Sequence, residues 1–436
     1  MPLMLGLDLV RPLEPDWRGS VDDVARAQRW PTTHDVARLA ASVRALSAAY
    51  NDPSQARASA ETDGAARLGF FFARDVPKGA AAVRELVATG ALRLDEVLRV
   101  LDLGAGMGAS TWGIARALEA AGKRGTVHAT WVDTDRRALD VGMALASRRE
   151  GRSPIALRVD AQQGSLTQLG PLGTFDVVMA SGLLSELDVG MDGPTRVQRH
   201  AALVSNLLEH GTQPHGAVVL VEPALRDRTR HLHAVRDALL ALGELEGGRE
   251  APPASMGELE RGREAPPSSM ARTVFAPCLH TGTCPALVRE SDWCHEDLRI
   301  DLPTWLVPVA RAAGLRHEGL TFAYLILRRD GIRLVDALAS AGPCTRARVV
   351  SESMRTKGKR EAFLCGEFPS GSNDPSARSA ARVRATRLDR DRTELNAAWE
   401  HVDRGDLLVI DPAIEPSRAR VGRNADVKSI DRCPGR

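Results

Sequence analysis

The sequence predicts an α/β protein built on a doubly wound, mostly parallel sheet. A helical N-terminal arm precedes the sheet, and a Cys-rich insertion and a small β-containing C-terminal appendage follow it. Three observations lead there. Strand-length apolar runs alternate with amphipathic helical stretches from residue 97 onward. A glycine loop follows the first of those runs. All six cysteines lie beyond residue 277, outside the alternating region. With 436 residues and roughly 150 per domain, two to three folding units are expected.

The elements follow in order. Val21–Trp30 and Thr33–Leu46 carry apolar residues near helical spacing, a polar Asn51–Gly64 loop comes next, and Ala80–Leu92 completes a helical arm over residues 1–92. Capping of the next domain is its expected role. Val97–Leu103, His128–Val132, Ile155–Val159, Phe175–Ala180 and Ala217–Val221 read as strands. Thr111–Ala121, Arg136–Arg149, Thr195–Glu209 and Thr229–Leu242 read as the intervening helices, giving a core over 93–242. Residues 243–270 hold a tandem duplication, GELEGGREAPPASM then GELERGREAPPSSM, too short and polar to stack, so 243–272 is expected to be a flexible insertion. A Cys-rich module at 273–300 follows. Residues 301–342 return to the core, with a helix at Thr304–Ala313 closed by Gly314 and a strand at Gly319–Arg328. Beyond Pro343 the pieces Arg348–Ser351, Ala362–Cys365 and Asp406–Ile410 suggest a basic, β-containing region over 343–436.

Composition limits the function classes. No apolar run approaches the roughly 18 residues of a membrane span, and the N-terminus has the features of neither a secretory signal nor an acid-poor transit peptide. A cytoplasmic protein without a membrane partner is expected. The net charge is +2, so nothing global demands a nucleic-acid partner. The C-terminal fifth is more basic, with 19 Lys and Arg against 14 Asp and Glu from Ala341 onward. Arg346, Arg348, Arg355, Lys357, Lys359 and Arg360 are candidate phosphate contacts there, with a solvated basic face as the alternative.

The segment VLDLGAGMGAS, Val100–Ser110, runs strand into Gly104-x-Gly106-x-Gly108 into helix. Such a loop lets backbone approach a ligand and offers helix-terminal N–H groups to it. NAD would need its ribose acid about 20 residues on, whereas Asp133 comes 29 residues after Gly104. An acid also precedes the loop, at Asp102. The order D-x-G-x-G-x-G resembles the first motif of class I S-adenosylmethionine-dependent methyltransferases, which have a Rossmann-like fold. That resemblance implies Asp102, Gly104, Gly106 and Gly108 around the cofactor, Asp133 on its ribose, and Asp160 near its adenine. Catalytic residues are not identifiable. FDVVMASGLLSEL, 175–187, lacks the Asp/Asn-Pro-Pro-aromatic turn of amine methylation, and no Cys nucleophile precedes residue 278. Ser181, Ser185, Glu186 and Glu222 are the polar residues nearby.

CLHTGTCPALVRESDWC, 278–294, gives C-x5-C-x9-C. Thiolates suit zinc or an iron–sulfur cluster, and this spacing does not choose between them. A fourth ligand would come from Cys344, Cys365, His280 or His295. The methyltransferase-like core, ASGLLSEL, VEP, CLHTGTCP…DWCHED and KGKREAFLC together resemble the mitochondrial small-ribosomal-subunit assembly methyltransferase-like family and its bacterial relatives, over roughly residues 65–410. The duplicated insertion and His295-Glu296-Asp297 depart from the family pattern. The resemblance implies a [4Fe–4S] cluster on Cys278, Cys284, Cys294 and Cys365, with zinc as the alternative metal. It also implies binding to small-subunit ribosomal RNA in ribosome assembly or translation. The alternatives are an active rRNA methyltransferase, a redox sensor in which the cluster controls RNA binding, and an NAD oxidoreductase. Cys433 is expected to be free.

Overall fold

The computed structural model describes residues 8–51, 60–166, 173–247, 272–338, 344–370 and 377–430. The duplicated unit, apart from its first five residues, and Cys433 lie outside these residues. Four helices open the chain: α1 (Asp16–Ala27), α2 (Val36–Asn51), α3 (Ala60–Ala66) and, after a π-turn at Arg67–Phe71, α4 (Phe72–Ala88). The sheet then begins: β1 (Val97–Leu103), α5 (Ala109–Ala120), β2 (Gly125–Asp133), α6 (Arg136–Arg148), β3 (Ile155–Gln163), β4 (Phe175–Ser181), α7 (Leu183–Glu186), α8 (Gly193–Asn206), β5 (Thr212–Glu222) and α9 (Arg226–Gly247). It is completed by β6 (Thr273–Ala276), β7 (Glu296–Leu298), α10 (Val307–Ala313) and β8 (Leu320–Arg328).

The strand order is β3-β2-β1-β4-β5-β8-β6, with β7 also on β8. Strands β1 to β5 are parallel, and β8 runs antiparallel to β5, β6 and β7. This is the doubly wound order with one reversed strand near the edge, so the α/β, mostly parallel expectation holds. Both faces are apolar, as a sheet covered on two sides requires. Leu98, Val100, Val177 and Val219 pack with α4 and α5, while Leu101, Leu103, Val178 and Leu220 pack with α8 and α9.

The N-terminal helices cap the core, and α4 is integral to one helical layer. Helices α4 and α5 cross backbone to backbone. A Cβ on Gly79 would lie 2.7 Å from the Ser110 carbonyl oxygen, and one on Gly113 would lie 2.5 Å from that of Val76. Trp17 of α1 meets Trp112 of α5 edge-on, with ring centroids 4.9 Å apart, and carries the Arg149 guanidinium on its own ring.

Strands β6 and β7 both pair with β8, Ala276 with Ile326 and Glu296 with Phe322. The cysteine segment is therefore an excursion between two strands that pair with β8 at positions four residues apart. The C-terminal region is a second sheet of β9 (Thr345–Val349), β10 (Met354–Thr356), β11 (Lys359–Pro369), β12 (Arg378–Leu388), β13 (Leu407–Asp411) and β14 (Asp426–Ile430). Its interior holds Val349, Leu364, Phe368, Trp399 and Leu408.

A buried polar network docks this second sheet on the first. Arg348 of β9 donates to Glu85 Oε1 of α4 at 2.9 Å and to the Pro277 carbonyl at 2.7 Å, beside Cys278. Tyr324 of β8 donates its hydroxyl to Glu85 Oε2, and Arg84 pairs with Glu296 at 2.6 Å. Burial works against the Arg348 charge, but Glu85, Tyr324 and Glu296 more than offset it and hold the guanidinium protonated. Arg348 thus joins two sheets and is not a phosphate contact.

Candidate functional site

Strand order reverses between β1 and β4, the place where an open α/β sheet leaves a crevice at its carboxyl edge. The turns after β1 and β4 line it. Gly104, Gly106 and Gly108 have φ of 69°, 53° and 79°, left-handed values that glycine adopts without strain. Trp131 fills the space behind Gly108, where a Cβ would stand 2.1 Å from the indole. Around the Gly106 Cα, by contrast, a Cβ would meet no atom within 4 Å. Leu183, from the turn after β4, reaches within 3.4 Å of a Cβ position on Gly104.

Asp133 ends β2 at this crevice. Its Oδ2 accepts the Gly106 N–H at 2.8 Å, and its Oδ1 accepts the Asp135 N–H at 2.8 Å. A carboxylate has about four lone-pair sites, so acceptor capacity remains for hydroxyls. Arg67, from the π-turn before α4, pairs with Asp135 at 3.0 Å and brings the N-terminal layer over this edge.

Two of the sequence-predicted residues stand elsewhere. Asp102 is 1% exposed and braces the loop from behind, accepting from the Thr111 hydroxyl at 2.7 Å and more weakly from its N–H. Burial pushes its carboxyl up to about 7 despite those bonds. Asp160 does not end its strand. β3 continues to Gln163, which pairs with Asp133, while Asp160 pairs with Thr130 and bonds His128 at 2.8 Å. At about 3.3 Å per residue it lies about 10 Å before the end of the strand, so the strand-end placement expected for it is corrected.

Glu222, at the end of β5, is almost fully buried and accepts from the Leu184 N–H at 2.9 Å and from the Ser185 hydroxyl. Burial pushes it up to about 7. It therefore shapes the turn after β4, and its bond occupies the Ser185 hydroxyl.

The second constellation is the cysteine excursion. Cys278 and Cys294 stand at its two ends, Cys284 within it, and Cys365 on the outer face of β11. Burial raises the Cys365 thiol well above its usual range, and the nearby Cys278, Cys294 and Cys284 add to the rise. Burial with Cys278 likewise pushes Cys294 up to about 11. The four thiols thus converge. Cys344 instead sits in the apolar core with Leu334 and Leu338, and His280 lies 3.6 Å from Cys365 Sγ. Among the described residues no group of three or more His, Cys, Asp or Glu is placed to hold a metal ion.

Helix α9 supplies a supporting face that sequence reasoning missed. Arg230 donates to the carbonyls of Ala286, Leu287, Arg289 and Asp292. Arg236, fully buried, donates to those of His280 and Gly282. Asp237 accepts the Cys284 N–H at 2.9 Å. The signal was available as polar residues 230, 233, 236 and 237 at helical spacing. Arg236 is a buried cation facing Cys278 and Cys284, and its Nε has no protein partner.

Residues 71–370 match the family model described as mitochondrial small ribosomal subunit Rsm22. The chain belongs to this family. The match spans both the glycine loop and all four converging cysteines. Similar solved structures include a methyltransferase of Pyrococcus furiosus (14% identity, 57% of this chain and 82% of that chain, TM-score 0.29). Precorrin-6y C5,15-methyltransferase of Geobacter metallireducens gives 13%, 56%, 88% and 0.29. The 16S rRNA methylase ArmA gives 15%, 49%, 79% and 0.23. No curated protein matches. Among the described residues no helix is long and apolar enough to cross a membrane.

Proposed function

We propose that the protein binds S-adenosylmethionine at Gly104–Gly108 and carries a [4Fe–4S] cluster on Cys278, Cys284, Cys294 and Cys365. In this reading it works as a ribosomal RNA-binding factor of the small subunit. The observation that carries the proposal is the convergence of four cysteines from two distant segments beside a buried guanidinium, in a chain of the Rsm22 family. Thiolates are anionic, and Arg236 with its unused N–H offers the charge that such a group requires. The cluster would supply a covalent staple between the β6–β7 excursion and β11, and sensitivity to oxidants.

At the crevice, the open space at Gly106 and the remaining lone pairs of Asp133 suit a nucleoside with free hydroxyls. S-adenosylmethionine would supply a transferable methyl group. Ser185 is tied to Glu222, while Glu186, exposed in the same turn after β4, is a carboxylate open to a substrate, so turnover stands as the second reading.

The test is iron, acid-labile sulfide and zinc content of protein purified without oxygen, beside Cys365→Ser. About four irons and four sulfides per chain, reduced in the variant, support the reading. One zinc without sulfide overturns the cluster. Labelled methyl transfer to small-subunit RNA, abolished by Asp133→Ala, would show turnover instead.

A further inference from the structure

The C-terminal sheet closes on itself. β9 pairs with β11 and with β13, β11 with β12, and β13 with β14. The segment entering β14 meets β12 in parallel: the Thr386 N–H bonds the Ala419 carbonyl, and Val421 N–H bonds that of Thr386. With the 419–421 segment before β14 beside β12, the order β9, β11, β12, 419–430, β13 and back to β9 matches that of a five-stranded Greek-key barrel of the OB type, with β10 as an outgrowth of its first hairpin. Such barrels bind oligonucleotides across the outer face of their second and third strands, flanked by the first–second and fourth–fifth loops.

Here those strands are β11 and β12. Ala362, Leu364, Val383 and Ala385 point inward. The alternate residues face out, and direct pairing sets Phe363 beside Arg384 and Cys365 beside Arg382. One end of this outer face is taken by the cysteine excursion: a Cβ on Gly282 would lie 3.0 Å from the Ala380 methyl, and Asp292 pairs with Arg382 at 2.6 Å. Arg382 in turn lies 4.8 Å over the Phe363 ring. Trp293, next to Asp292, is 36% exposed and stacked on His295. At the other end, both flanking loops converge on the β12 terminus and are basic. Arg355 and Lys357 are exposed on the β10–β11 hairpin, and Arg418 and Arg423 are exposed between β13 and β14. Two carboxylates of β11 lie on this face: Glu361 is buried and held by Lys359 and Arg384, and Glu367, at the end beside Ala380, pairs with Arg333 at 3.8 Å.

We infer that this face binds a single-stranded RNA segment, with bases against Trp293 and Phe363 and phosphates against Arg384, Arg355 and Lys357. Aromatic rings between arginines suit unpaired bases, since every base has a π-face. The inference rests on the ribosomal RNA reading above and gives it a surface. It also assigns the cysteine excursion a second role, that of supplying Trp293 to a barrel whose own outer face offers Phe363 alone at this end.

The test is fluorescence anisotropy of a labelled 12-nucleotide oligouridine and, separately, of a small-subunit RNA transcript, with the full chain purified without oxygen. Trp293→Ala and Phe363→Ala should each weaken oligouridine binding about 5-fold or more, and Trp293→Phe should restore most of it. Arg355→Ala with Lys357→Ala should lower the log–log salt slope by about 1.4, from about 0.7 per single-strand phosphate contact. Thermal melts of each variant separate loss of binding from loss of fold. Binding of oligouridine that none of the substitutions changes, in folded variants, overturns the surface. Binding of the transcript without the oligouridine also overturns it but leaves the ribosomal RNA reading standing. Failure to bind either RNA at low salt overturns both.

Discussion

Replacing Arg348 by Met should uncouple the barrel from the core. In the folded protein its guanidinium is buried and donates to Glu85, to the carbonyl of Pro277 and to that of Gly405. Met fills similar volume but removes the buried positive charge that faces the Glu85 carboxylate. Breaking one side of a buried pair costs about 3–5 kcal/mol. At roughly 2–4 °C per kcal/mol, and nearer the lower figure for a chain of this size, the melting temperature should fall by roughly 6–10 °C. The assay is thermal unfolding by circular dichroism, joined to limited proteolysis, in which cleavage near residue 343 should accelerate. Glu85→Gln provides the control. It keeps an acceptor for Tyr324 and removes the charge, so Arg348→Met should cost distinctly less in that background. A shift under about 2 °C, or the same shift in both backgrounds, would refute the latch.

Three further outcomes are expected. Asp133→Ala should weaken S-adenosylmethionine binding by about 10-fold or more, the worth of hydrogen bonds to a charged group, read by isothermal calorimetry; an unchanged Kd would move the nucleoside elsewhere. Asp102 and Glu222 hold protons in the fold up to about 7 that the unfolded chain releases near pH 4. Stability should therefore decline as pH rises between about 4 and 7. Asp102→Asn should make that decline shallower in urea midpoints, and an identical slope would contradict the assignment. Arg236→Met should lower iron retention against a chelator by about 10-fold or more, as loss of an outer-shell partner does, with Arg236→Lys less affected; equal retention would deny the guanidinium its role.

Much of the core was legible because long strands carry their own pattern. Val97–Leu103 is expected and observed with the same limits, and Phe175–Ala180 extends by one residue. The glycine loop and Asp133 were equally plain, since positive-φ glycines after a strand leave a residue-level mark. Short edge strands did not: TVFA and EDL hold their places through pairing with β8, not through any period of their own. β12 carried an alternation of small apolar residues with arginines, RVRATR, that basic composition masked. Asp160 misled because its strand runs on through polar Gln162 and Gln163, and only pairing with Asp133 shows where the edge lies. Arg348 read as a candidate phosphate contact because burial of a charge depends on a partner far along the chain, as its separation from Glu85 shows. Cys365 was placed by resemblance, and the fold brings it to the other three through the outward face of β11.

The crossing of α4 and α5 at Gly79 and Gly113 has a mechanical consequence. Ser110 follows the glycine loop directly and lies against Gly79. Arg84 and Glu85, within two turns along the same helix at about 1.5 Å per residue, hold Glu296 and Arg348. One short strut therefore carries the glycine-loop crevice at one end and the anchorage of the cysteine excursion at the other. Because the crossing has no side chain to give way, neither end can slide along the axis without moving its counterpart.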